Sequence, residues 1–97
     1  MVAYVIVDID VTDPQGFEEY KRLAQIAVVK HGGRYLARGG ETASLEGGWS
    51  PNRLVILEFE SLARAKAWYD SPEYAEARRA RKTTARFRMI ATEGVPP

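Results

Sequence analysis

The sequence has no cysteine and a single histidine, His31. Without thiols there is no disulfide, no thiolate metal site and no cysteine nucleophile. Zinc sites usually gather several His or Cys ligands, so one imidazole argues against such a site, and neither metal nor cofactor is expected. Long apolar runs are missing too. The opening stretch is broken at Asp8 and lacks a basic flank, so it does not read as a signal peptide. Nothing approaches the roughly 18 consecutive apolar residues of a membrane span. A cytoplasmic chain without a membrane partner is expected. Charge of one sign is also scarce: 14 basic side chains face 13 acidic ones, for a net charge of +1.

What remains is ordinary globular material. Ninety-seven residues, 45% of them hydrophobic and 28% charged, make one domain over 1–97. The charges are unevenly placed. Residues 1–60 carry nine acids and six bases, and residues 61–97 carry four acids and eight bases. Arg78, Arg79, Arg81, Lys82, Arg86 and Arg88 make most of that basic run. Nucleic-acid surfaces interleave such charges with aromatic rings, and only Phe87 falls inside the run. It reads as a solvated or intersubunit helix end, with no nucleic-acid partner. The glycine pairs at 32–33, 39–40 and 47–48 match no phosphate-binding loop, since none is followed by Lys-Ser/Thr opening a helix. Turn and cap chemistry accounts for them.

The chain reads as alternating strands and helices. Val2–Val11 alternates, with Ala3, Val5, Val7 and Ile9 on one side. Asp13-Pro14 is a helix start, an N-cap carboxylate before a proline at the first helical position. Phe17, Tyr20, Ala24, Ala27, Val28 and His31 follow helical spacing, and Gly32 suits a left-handed cap. Gly33–Arg38 is a short strand. Residues 39–52 form a glycine-rich connection that includes a small strand at Thr42–Glu46. Arg53–Glu60 is the next strand. Ser61 caps a short helix carrying Leu62, Ala65, Trp68 and Tyr69, and Ser71-Pro72-Glu73 restarts one through Tyr74, Ala77 and Arg81. Phe87–Glu93 closes as a strand.

That order predicts an α+β, ferredoxin-like β-α-β-β-α-β fold: a four-stranded antiparallel sheet with its helices on one face. One side of the strands is uniformly apolar and fit to pack beneath the helices. The other reads Tyr4/Ile6/Asp8, Arg34/Leu36/Arg38, Leu54/Ile56/Glu58 and Arg88/Ile90/Thr92. Such a face is too apolar for open solvent and too charged for a plain core. Exposed apolar patches of this kind usually mark interaction surfaces. The simplest cover is the same face of a second copy, giving a two-fold homodimer with a barrel-like interior. Asp8, Arg38, Glu58 and Arg88 would then lose water and need to pair with each other or with a ligand.

Several stretches in order carry a resemblance: Tyr4-Val5-Ile6, Asp13-Pro14, the run His31–Gly40, Glu46-Gly47, Leu54–Phe59 with Ser61, Trp68-Tyr69, Ser71-Pro72-Glu73-Tyr74 and Arg81. Over nearly its whole length the chain resembles the family catalogued as domain of unknown function 1330, in the dimeric α+β barrel superfamily. The resemblance implies the same fold and the same homodimer. It implies no activity. Superfamily relatives include cofactor-free monooxygenases, lactone isomerases, haem-degrading proteins and chlorite dismutases, so fold alone does not name a reaction.

Candidate site residues follow from chemistry. His31 is the one side chain whose ordinary pKa lies near neutrality, so it is the natural general acid or base. It also sits in the last helical turn, where an imidazolium suits the helix dipole. Asp8 and Glu58 would make a proton-transfer pair if strand pairing joins them, or ion pairs with Arg38 or Arg88 if it does not. Arg38 can fork onto a carboxylate or phosphate. Trp49 is either a lid or an interface anchor, and interfaces favour tryptophan. Tyr4, Tyr69, Arg81 and Arg88 complete the ligand-contact candidates. Two functions follow. One is a small-molecule site between the sheet and the partner subunit, with metal-free acid–base chemistry of isomerase or monooxygenase type. The other is a non-catalytic dimer locked by those charges. A haem ligand role for His31 is a third reading, by analogy with haem-handling relatives.

Overall fold

The computed structural model describes residues 1–97. The strands are β1 (Ala3–Val11), β2 (Arg34–Arg38), β3 (Arg53–Phe59) and β4 (Ala85–Glu93), and the helices are α1 (Pro14–Lys30), α2 (Leu62–Tyr69) and α3 (Pro72–Arg81). The strands form one antiparallel sheet in the order β2-β3-β1-β4. This is the expected ferredoxin-like arrangement. The second helical stretch of the β-α-β-β-α-β scheme is divided in two, as the restart at Ser71-Pro72-Glu73 implied, with Asp70 and Ser71 interrupting it ahead of Pro72.

Local chemistry sets each boundary. Asp13, Ser61 and Ser71 each accept a backbone N–H three residues on, from Gly16, Arg64 and Tyr74, at 3.1 Å. These bonds satisfy donors that the first helical turn leaves free. At the far end of α1, Gly33 N–H donates to Val28 at 2.9 Å and Gly32 N–H to Val29 at 3.2 Å. Gly32 stands at φ +76° to close this pair of bonds, as left-handed helix caps require. Gly33 is held for another reason: a Cβ there would stand 2.6 Å from the Phe59 ring.

In β1, buried and half-buried residues alternate from Ala3 onward. The buried set faces the helices, with Val5, Val7 and Ile9 meeting Phe17, Tyr20, Leu57, Phe59 and Trp68 in one apolar core. Three expectations need correction. No strand forms at 42–46, since that connection runs to residue 52 without pairing. The last strand begins at Ala85 rather than Phe87, because Ala85 pairs with Val11 and Arg86 with Asp10. The third correction concerns β2. Arg34 lies opposite Glu58 and Tyr35 opposite Leu57, but Ala37 lies opposite Ile56 and Arg38 opposite Val55. Leu36 is an extra residue, a β-bulge, and beyond it the two faces exchange. Arg34 and Arg38 therefore do not share a face. Arg38 points with Val55 to the helix side.

The molecule is a slab of 40 × 38 × 16 Å. One face of the sheet carries the helices, and the other carries none, with Trp49 of the 39–52 connection beside it. No helix is long and apolar enough to cross a membrane.

Candidate functional site

Strand pairing draws the open face in rows. Tyr4 lies between Glu58 and Thr92, Ile6 between Ile56 and Ile90, and Asp8 between Leu54 and Arg88. An apolar row thus crosses the middle of the sheet with polar rows on both sides. Asp8 is the best-held charge, its side chain 11% exposed. One of its oxygens accepts the Asn52 backbone N–H at 3.0 Å, and the other pairs with the Arg88 guanidinium at 3.2 Å. Glu58 pairs with Arg34 at 2.6 Å and Asp10 with Arg86 at 3.2 Å. The bond from Arg34 to Glu58 raises the guanidinium pKa above its ordinary value.

Asp8 and Glu58 are not brought together. Four residues of extended chain separate their rows, about 14 Å along the strand. Each carboxylate has its own arginine, and for Glu58 that arginine is Arg34, which lies directly opposite it on β2. Trp49 is 57% exposed and borders a depression on this face with Ile6, Asp8, Leu54, Arg88 and Ile90.

The other candidates lie on the helix side. His31 caps α1, and its Nε2 meets Glu73 of α3 at 2.9 Å, while Lys30 reaches the second Glu73 oxygen at 2.9 Å. These bonds, His31 first and then Lys30, lower the Glu73 pKa to about 2. Tyr69 packs on Trp68 and Tyr74, with the Arg78 guanidinium 4.5 Å above its ring. Arg81 stacks 3.7 Å over Phe87 and approaches the Tyr74 hydroxyl at 3.5 Å. That hydroxyl is 2.8 Å from the hydroxyl of Tyr20. Burial pushes both phenols up, so both remain protonated near neutral pH.

The nine candidates thus divide between two faces, with Tyr4, Asp8, Trp49, Glu58 and Arg88 on one and His31, Arg38, Tyr69 and Arg81 on the other. No group of three His, Asp or Glu side chains is placed to hold a metal ion. Sequence reasoning passed over Arg53. The signal was available, because Arg53 has the strand parity of Val55, Leu57 and Phe59 and so faces the helices. It lines a small cavity beneath α1 together with Arg38 and Tyr35.

No curated protein matches the chain. Solved structures share its fold at low identity. A protein of unknown function from Rhodopseudomonas palustris superposes with a TM-score of 0.77 at 17% identity, covering 99% of this chain and 84% of that one. A dimeric ferredoxin-like protein of unknown function from Jannaschia sp. CCS1 gives 0.70 at 13%, covering 97% and 100%. SnoaB, a cofactor-independent oxygenase from Streptomyces nogalater, gives 0.67 at 10%, covering 99% and 95%. The family described as Domain of unknown function (DUF1330) matches residues 2–95.

Proposed function

The chain belongs to the DUF1330 family of unknown function, and from that premise we propose that it works as a homodimer closed over its open sheet face. The side chains of that face serve assembly rather than proton transfer. One observation carries the reading: an uncovered row of Ile6, Ile56 and Ile90 runs between charges already paired within the chain. Paired charges can enter an interface without the full cost of stranding one. Asp8 has a partner on each oxygen, the Asn52 backbone N–H and Arg88. A proton relay through Asp8, Glu58 and His31 has no geometric support, since the carboxylates are rows apart and His31 lies behind the sheet.

Surface area supports the same reading. A compact 10.9 kDa monomer exposes about 5,600 Å² by the usual scaling. This chain exposes 6347 Å². The excess, about 750 Å², is close to the roughly 800 Å² that each partner contributes to a standard interface. The relative from Jannaschia is itself described as dimeric.

Sedimentation equilibrium tests the proposal. The wild type is expected at twice the 10.9 kDa chain mass. Ile90 is 64% exposed, so Ile90→Glu leaves the single chain's packing intact and is expected to give monomer. A monomeric wild type, or an undisturbed Ile90→Glu dimer, overturns the reading.

A further inference from the structure

With the sheet-face charges spoken for, the cationic groups that lack an acid gain interest. Arg22, Arg34, Arg64, Arg86 and Arg88 each have a carboxylate within 4 Å. Arg38, Arg53 and the α3 arginines Arg78, Arg79 and Arg81 have none, and of these only Arg38 and Arg53 line a cavity. The side-chain bond of Arg38 goes to the neutral Gln25 Oε1 at 2.8 Å, and its guanidinium lies 4.3 Å from the centre of the Tyr35 ring. Arg53 packs against the backbone of Gly39, which stands at φ +70° and has no side chain to obstruct it. Both charges act on the Tyr35 phenol, opposing the rise that burial gives it.

These two arginines share the wall of a cavity of about 30 Å³ between α1 and the sheet. Lys21 is the third charged residue in that wall, and no acidic residue lines it. The rest of the wall is apolar, including Val7, Phe17, Val28 and Leu57. Trp68 is also in it, 2% exposed, with an indole N–H that has no acceptor. We propose that Arg38 and Arg53 are the anion-binding mouth of a small-molecule site, whose ligand is a monocarboxylic acid with a short apolar chain.

Each part of that ligand answers an observation. Two guanidiniums without a counter-charge share one wall with no acid in it, and a carboxylate would supply the missing charge while matching their forked donors. Apolar walls exclude a second charge at the other end. The volume, worth about two water-sized positions, limits the buried part to two or three carbons. The bulge at Leu36 fits the same reading, because bulges commonly re-aim a side chain beside a site. Without it, Arg38 would face outward with Arg34. This site lies behind the sheet, so it stands or falls independently of the dimer.

The test follows the Trp68 indole N–H by two-dimensional NMR on the full chain during titration with sodium butyrate. Sodium chloride at equal ionic strength, inorganic phosphate and butanol are the comparisons. A saturable shift with butyrate is expected, and none at matched concentration with the other three. Arg38→Met and Arg53→Met are each expected to weaken binding at least ten-fold, while Arg22→Met, an equal loss of charge on the outer side of α1, changes it less than two-fold. Arg38→Lys, which keeps the charge without the fork, is expected to fall between. No saturable response to butyrate overturns the proposal, as does a response unchanged in Arg38→Met. Phosphate binding as tightly as butyrate overturns the ligand class. Should the methionine variants not fold, the four-way comparison on the wild type still decides.

Discussion

His31 shows what a single residue's chemistry can and cannot reveal. As the sole histidine it was the natural general acid or base, yet its ring is tied to Glu73 and joins the end of α1 to the start of α3. The pairing is favourable twice over. Lys30 and His31 sit at a helix C-terminus and Glu73 in the first turn of another helix, so each complements a dipole end as well as its partner. The folded pKa of Glu73 is lowered from 4.5 to about 2. Its contribution to stability is therefore complete above 4.5 and disappears as the pH falls toward 2. Urea unfolding across that window is expected to show a steeper acid loss in wild type than in Glu73→Gln. Equal slopes would mean that the carboxylate is not held by its partners.

At the scale of elements, the strands were legible and the bulge was not. Val5, Val7 and Ile9, like Val55, Leu57 and Phe59, carry a two-residue period that burial imposes directly. The caps at Asp13, Ser61 and Ser71 were legible for the same local reason. An inserted residue leaves no mark on composition, however. Leu36 looks like any strand residue, and only the partner strand shows that it is extra. That one insertion moved Arg38 to the other side of the sheet, away from Asp8, Glu58 and Arg88. The connection at 39–52 was read as including a small strand at Thr42–Glu46, but no neighbouring strand is there to pair with it. Glycines separate by context in the same way. Gly33→Ala drives a methyl into the Phe59 ring, which is 1% exposed, and is expected to cost about 1–3 kcal/mol. Gly40, with no heavy atom within 4 Å of where its Cβ would stand, is expected to accept alanine within about 0.5 kcal/mol. Chemical denaturation of the two variants side by side checks this.

For the whole molecule, the slab's 16 Å thickness matters most. Two layers leave one sheet face to water, and only 18 of 97 residues are buried. A chain this thin has little core of its own, so the proposed dimer would add the closure of its open face to the chain's stability. Anything that binds the folded form alone raises its melting temperature with concentration, and in the proposed dimer the binding species is a second copy. The melting temperature of the wild type is expected to rise over a hundred-fold range of protein concentration, and that of Ile90→Glu to stay level. The pattern of alternating polar and apolar residues made this face visible in the sequence, since both sides of β1 and β3 carry isoleucine, leucine or valine. Which charges pair across it depended on register, and register belongs to the folded chain.

The two tryptophans divide along the same line. Trp68 is sealed among aromatic rings in the core, and Trp49 stands at the edge of the open face, more than half exposed. The chain's fluorescence is therefore a sum of one shielded and one wet emitter. A water-soluble quencher reaches the second long before the first. If a second copy covers Trp49, dilution brings back its quenching while Trp68 stays dark to the quencher, and only unfolding opens both. Subunit separation and loss of fold would then be distinct optical events in an unlabelled protein.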